Sequence, residues 1–159
     1  IIGSPGETEA TVHETIDFID QFQPDTYKAQ LWYADNKAPI WKMKDQLNIK
    51  GIGFRWSHDT MDSDEASRWL DYVLSEVKGS VFLPEDGCGQ WSVFYLQRLG
   101  MSKAQVLDYL RAFEAGIRAK RRDPSQQELP EELMQRLFEA GTFPGRGRIN
   151  EKALTLHAA

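Results

Sequence analysis

A chain of 159 residues is close to the size at which one hydrophobic core suffices, so a single domain is expected. With 41% hydrophobic and 27% charged residues, and five Trp, five Tyr and eight Phe, a largely disordered chain is excluded. The net charge of −5 argues against a dedicated nucleic-acid binder, and no apolar run approaches the ~20 residues that span a bilayer. A soluble, cytoplasmic protein with neither nucleic acid nor membrane as partner is the expectation.

The chain opens on Ile1-Ile2 running into Gly3-Ser4-Pro5-Gly6-Glu7-Thr8. This reads as the end of a strand entering a βα turn, within a segment of a longer protein. Thr8 can cap a helix that reaches Phe22, with Val12, Ile16, Ile19 and Phe22 on one face; Gln23-Pro24-Asp25 ends it. Residues 27–34 alternate weakly and are aromatic, as a strand is. Strand, turn, helix, strand is the order of a βαβ unit in a parallel sheet.

Residues 35–39 read as a loop, and 40–47 as either a short helix or irregular. Gly51 and Gly53 among apolar neighbours make 49–56 an extended segment or a hairpin. Asp62 with Glu65 forms an acidic variant of a capping box. Ala66, Trp69, Leu70, Val73, Leu74 and Val77 then keep helical spacing until Gly79. Residues 81–84 are extended and 85–90 form a turn. A helix over 91–99 is expected to bury Trp91, Phe94, Tyr95 and Leu99 before Gly100. Ser102 and Gln105 cap the next helix, 103–121, whose core stripe is Val106, Leu107, Leu110, Phe113 and Ile117. Its C-terminal end carries Arg118, Lys120, Arg121 and Arg122, either a basic handle for an acidic partner or a solvated helix end. A polar linker follows, and Pro130 opens a short helix over 131–140 that Gly141 stops. Residues 142–159 show little periodicity.

Cys88 is the single cysteine, so the chain forms no internal disulfide, no Cys-x-x-Cys zinc site and no iron–sulfur cluster of its own. With His13, His58 and His157 scattered, no metal site is expected. Nothing basic flanks Cys88, which reads as an inert loop thiol. The turn at 3–8 places glycines and helix N–H groups where an anion or polar head could approach, although a tight turn without ligand explains it equally. In Trp56-Ser57-His58-Asp59-Thr60-Met61-Asp62, His58 is the candidate catalytic residue. It could carry a proton or bond substrate, with Asp59 or Asp62 fixing its tautomer. Against that stands a loop-and-cap reading, with Asp62 the N-cap and Trp56 a core anchor.

Ile1-Ile2-Gly3-Ser4-Pro5-Gly6-Glu7-Thr8, followed by an acidic helix and Pro24-Asp25, resembles the later βα unit of radical S-adenosylmethionine enzymes. It is most similar to the subfamily with a cobalamin domain ahead of the barrel. That resemblance implies that Ile2, Gly3, Ser4, Pro5, Gly6 and Glu7 lie beside the adenosyl part of the cofactor. Residues 31–35 then occupy the final barrel strand. The family's Tyr-Pro-Gly-Thr-Pro type loop is replaced by Ala34-Asp35-Asn36-Lys37-Ala38-Pro39-Ile40, which keeps only the later proline. Residues 46–122 look similar to the C-terminal extension of the phosphinothricin-type P-methyltransferase branch, whose relatives accompany natural-product pathways.

The implied fold is α/β to α+β: the last βα units of a partial radical barrel (1–45), a mainly helical extension (46–122), then a linker, short helix and tail (123–159). The implied cofactors are S-adenosylmethionine, a 4Fe–4S cluster and, in this subfamily, cobalamin, held by the parent protein and not by this chain alone. The implied partners are the rest of the parent polypeptide and a carrier-protein-bound substrate. The family's Cys-x-x-x-Cys-x-x-Cys motif is absent, so this chain alone should be inactive. The competing reading is a non-catalytic α-helical interaction or linker module of a multidomain polyketide or nonribosomal peptide biosynthetic protein.

Overall fold

A computed structural model describes residues 1–83, 90–125 and 128–142. The expectations for Cys88 and for the tail beyond 142 fall outside the described residues, as does the side chain of Trp91. The described residues form a mixed, broadly α+β structure of α-helices and short strands. They divide into two compact units, Ile1–Ser80 and Val81–Ala159. A single domain was expected from length; each unit instead has its own core. Trp56, His58, Thr60 and Ala66 lie against the first turn of the chain.

In the first unit, helix α1 is Glu9–Phe22, opened by a capping box in which Thr8 and Thr11 each accept the other's backbone N–H. Its Val12 and Ile16 are buried, whereas Phe22 is 64% exposed and lies against the exposed ring of Phe18. A two-residue strand, β1 (Thr26–Tyr27), follows. The expected strand over 27–34 is not continuous. Leu31 bridges Ile2 in parallel and Ala34 bridges Gly53 antiparallel, so no one neighbour runs along the stretch. The Ile2–Leu31 bridge nonetheless has the parallel sense of a βαβ unit, with Ile2 N–H donating to Gln30 O and Trp32 N–H to Ile2 O.

Residues Pro39–Met43 form a 3-10 turn with proline at its start. Strands β2 (Lys50–Ile52) and β3 (Arg55–His58) make the hairpin, Ile52 opposite Arg55 across the two-residue turn Gly53-Phe54. A third strand, β4 (Met61–Asp62), pairs with β3 through His58 and Met61. Sequence patterning gave no sign of it, since two residues cannot show a period. Asp62 then caps α2 (Ser63–Glu76), its carboxylate accepting from Glu65 N–H at 2.8 Å. Ala66, Val73 and Leu74 face inward, and α2 packs on α1.

In the second unit, β5 (Val81–Phe82) leads to α3 (Gln90–Arg98), α4 (Lys103–Arg122) and α5 (Glu131–Ala140). The core joins Val81, Leu83, Met101, Val106 and Leu110. The inward face of α3 is a correction. Phe94 and Tyr95 are each 61% exposed, and Val93 and Leu96 are the residues packed on the core. In so short a helix two faces carry apolar residues, and hydrophobicity alone does not choose between them. Ser102 and Gln105 form the capping box expected of α4. No helix among the described residues is long and apolar enough to cross a membrane.

Candidate functional site

Strand alternation puts Trp56 and His58 on one face of β3 while Arg55 faces solvent. That face lies against the N-terminal turn. The imidazole of His58 stacks on Trp56 with ring centroids 5.0 Å apart and planes 6° from parallel. Trp32 meets both rings edge-on, and the Trp56 indole N–H donates to Trp32 O at 3.0 Å. His58 is 8% exposed and, with Ser80, one of the two buried polar residues among those described.

Both nitrogens of His58 are engaged. Nε2 lies 3.0 Å from the Gly3 carbonyl, which only accepts, so Nε2 carries the proton. Nδ1 then accepts, from the Thr60 hydroxyl at 3.2 Å and more weakly from the Thr60 N–H at 3.4 Å. The Thr60 hydroxyl oxygen in turn accepts from Gly6 N–H at 3.2 Å. A closed circuit results: Gly6 N–H to Thr60, Thr60 O–H to His58, His58 N–H to Gly3 C=O. It ties the β3–β4 turn to both ends of Gly3-Ser4-Pro5-Gly6. Asp59 and Asp62, expected to orient His58, do not; Asp62 is spent on the cap of α2 and Asp59 is exposed.

The structure thus brings the candidate His58 together with Gly3 and Gly6, a pairing 55 residues apart in sequence. Within the turn, Gly3 N–H donates to the Glu7 carboxylate and Glu7 N–H to Ser4 O. Two amides of the turn are therefore used within it and a third, that of Gly6, by Thr60, which leaves little of the anion nest that a glycine-rich helix N-terminus can form. The two glycines do different work. At Gly3 (φ +90°) a Cβ would come within 2.5 Å of the Trp56 ring and 2.8 Å of Ala66 Cβ. Gly3 is there for packing. At Gly6 (φ +95°) a Cβ would meet nothing within 4 Å, so this side of the turn is open. Ile2 is buried, Ser4, Pro5 and Glu7 are half-buried, and Gly6 is exposed.

Thr60 is the member of the circuit that sequence reading missed. Its signal was its place two residues after His58 in a tight turn, where a hydroxyl can reach back to the ring. Among the described residues no group of three His, Cys, Asp or Glu side chains is placed to hold a metal. No family model, curated protein or solved structure matched the chain.

Proposed function

We propose that this chain is the C-terminal part of a cytoplasmic radical S-adenosylmethionine enzyme, of the cobalamin-dependent kind that methylates natural-product intermediates. The observation that carries the reading is the parallel Ile2–Leu31 bridge across α1, with the turn 3–8 at the carboxyl end of the first extended segment. Ligands of parallel α/β units lie beyond that end of the strands. The motif resemblance of residues 1–8 supplies the chemical identity.

The residues fit the proposed cofactor on one side only. Ser4, Pro5 and Gly6 would border the adenosyl group, because a Cβ on Gly6 would project into open space, while Gly3 faces Trp56 and Ala66. The cofactor, when bound, supplies the methyl-transfer and radical chemistry. An iron–sulfur cluster does not fit this chain, which has one cysteine; its thiolates and any cobalamin contacts would come from the rest of the parent polypeptide. A carrier-bound substrate would meet the same face. With both ring nitrogens engaged, His58 acts as a positioning residue: it holds the Gly3 carbonyl and, through Thr60, the Gly6 amide.

The test is S-adenosylmethionine titration of the protein carrying its upstream cysteine motif. Gly6→Leu should weaken binding about tenfold or more, roughly 1.4 kcal/mol, with helicity retained. Unchanged affinity would make the turn purely structural. No cofactor binding by the unsubstituted protein would overturn the reading.

A further inference from the structure

In the first unit, α1 and α2 pack on each other and leave an open cleft of about 410 Å³ toward their N-terminal ends. Glu9 and His13, one turn apart on α1, line it together with Glu65, Arg68, Trp69 and Tyr72 of α2. Three rings stand nearly perpendicular to one another there. His13 meets Trp69 and Tyr72 at 77° each, and Trp69 meets Tyr72 at 89°. Their centroids lie 5.7, 5.4 and 5.5 Å apart. A cation seated about 4 Å from three mutually perpendicular faces would set those centroids about 5.7 Å apart. Edge-to-face packing gives similar spacings, but rings packed only on each other would be covered. Here His13 and Trp69 are half-buried and Tyr72 is 38% exposed.

Charge selects the occupant. Carboxylates come from both walls, Glu9 on α1 and Glu65 on α2. Both sit in first helical turns, where they suit the dipole, but that does not account for the rings between them. The Glu65 amide serves the Asp62 cap, whereas its carboxylate is bound by no described residue. Glu9 lies 3.9 Å from His13 Nε2, a pair that is ionic only when the imidazole is protonated. Arg68 is the cation of the lining, and among the described residues it neither pairs with Glu65 nor lies over a ring. Two carboxylates against one guanidinium, beside aromatic faces, favour a positively charged ligand. A primary ammonium would need acceptors for three N–H groups. A quaternary ammonium has none to satisfy, and its methyl groups gain from contact with the rings.

We propose that this cleft binds a quaternary ammonium group, its methyls against His13, Trp69 and Tyr72 and its charge balanced by Glu65 and Glu9. The site uses neither the turn at 3–8 nor S-adenosylmethionine, so it stands or fails apart from the enzyme reading. NMR titration of the full chain with choline should move the Trp69 indole signal along one saturable curve. The uncharged isostere 3,3-dimethylbutan-1-ol should not saturate. Tyr72→Leu, at an exposed position, should weaken choline about fivefold or more while the melting transition is kept. Glu65→Gln leaves the backbone cap of α2 in place and should weaken it by a similar factor. Arg68→Ala, which removes a like charge, should tighten it about twofold. Vesicles of phosphatidylcholine distinguish the source of the group. Retention of the chain on them, competed by choline, assigns a lipid headgroup; choline binding without retention assigns a free small molecule. Absence of saturable choline binding, or indifference to Tyr72→Leu, overturns the proposal. Equal affinity for choline and its isostere would make the cleft merely apolar, and weaker binding on Arg68→Ala would show that it needs an anionic group; either result also overturns it.

Discussion

The two units are built by different means. In the first, the decisive contacts are long in sequence: His58 to Gly3, Gly6 to Thr60, Trp56 to Trp32, Lys78 and Gly79 to Asp20. In the second, the secondary structure is set locally, by the Ser102–Gln105 box, i,i+4 pairs such as Glu114–Arg118 and Gln135–Glu139, and apolar stripes on α4 and α5. A polar circuit with fixed partners suits a site that must hold a backbone turn in one shape. A locally specified helix pair can leave apolar space between its members, as α4 and α5 do around Phe113, Ile117, Leu137 and Phe138.

The contrast would break most visibly at Trp56. Trp56→Ala removes a buried ring that touches Gly3, Trp32 and His58, and should cost about 3–5 kcal/mol. Hydrogen exchange should then accelerate strongly in α2 and little in α4. Equal acceleration in both would show one cooperative block and dissolve the comparison.

Thr60→Val sharpens it at the level of single hydrogen bonds. The substitution keeps shape but strips Gly6 N–H and His58 Nδ1 of a partner, at about 1–2 kcal/mol. The Gly6 amide should exchange faster, and NMR of the ring should still show the Nε2–H tautomer held by Gly3. A switch to Nδ1–H would overturn the circuit as drawn.

The smallest effect is at Asp20, whose carboxyl is held below the ordinary aspartate value by hydrogen bonds from the Gly79 and Lys78 amides, with a lesser contribution from the Lys78 charge. A depressed folded-state pKa stabilises the fold above the unfolded value, about 3.9, and that stability is lost as pH falls through the folded one. Asp20→Asn should therefore be less stable than the unsubstituted chain at pH 7, the gap closing as pH drops below 4. A gap unchanged down to pH 2 would remove Asp20 from the acid response.

Features that neighbours within one helical turn decide could be read from the order of residues alone. Thr8, Asp62 and Ser102 cap helices where their spacing to residues 11, 65 and 105 required, and Val106 and Leu110 turn inward as their period demanded. For 49–56 the sequence left an extended segment or a hairpin open, and pairing with the turn at Gly53-Phe54 made it a hairpin. The tertiary structure alone decided which face of α3 is buried, that β4 exists, that the chain divides at Ser80, and that Thr60 rather than an aspartate orients His58. It also separated the two glycines of one motif, setting Gly3 under Trp56 and Gly6 toward open space. A cap or a stripe depends on residues three or four apart, which a sequence displays side by side. The surroundings of Gly3 and His58 depend on residues more than fifty apart, and nothing in their spacing records that they meet.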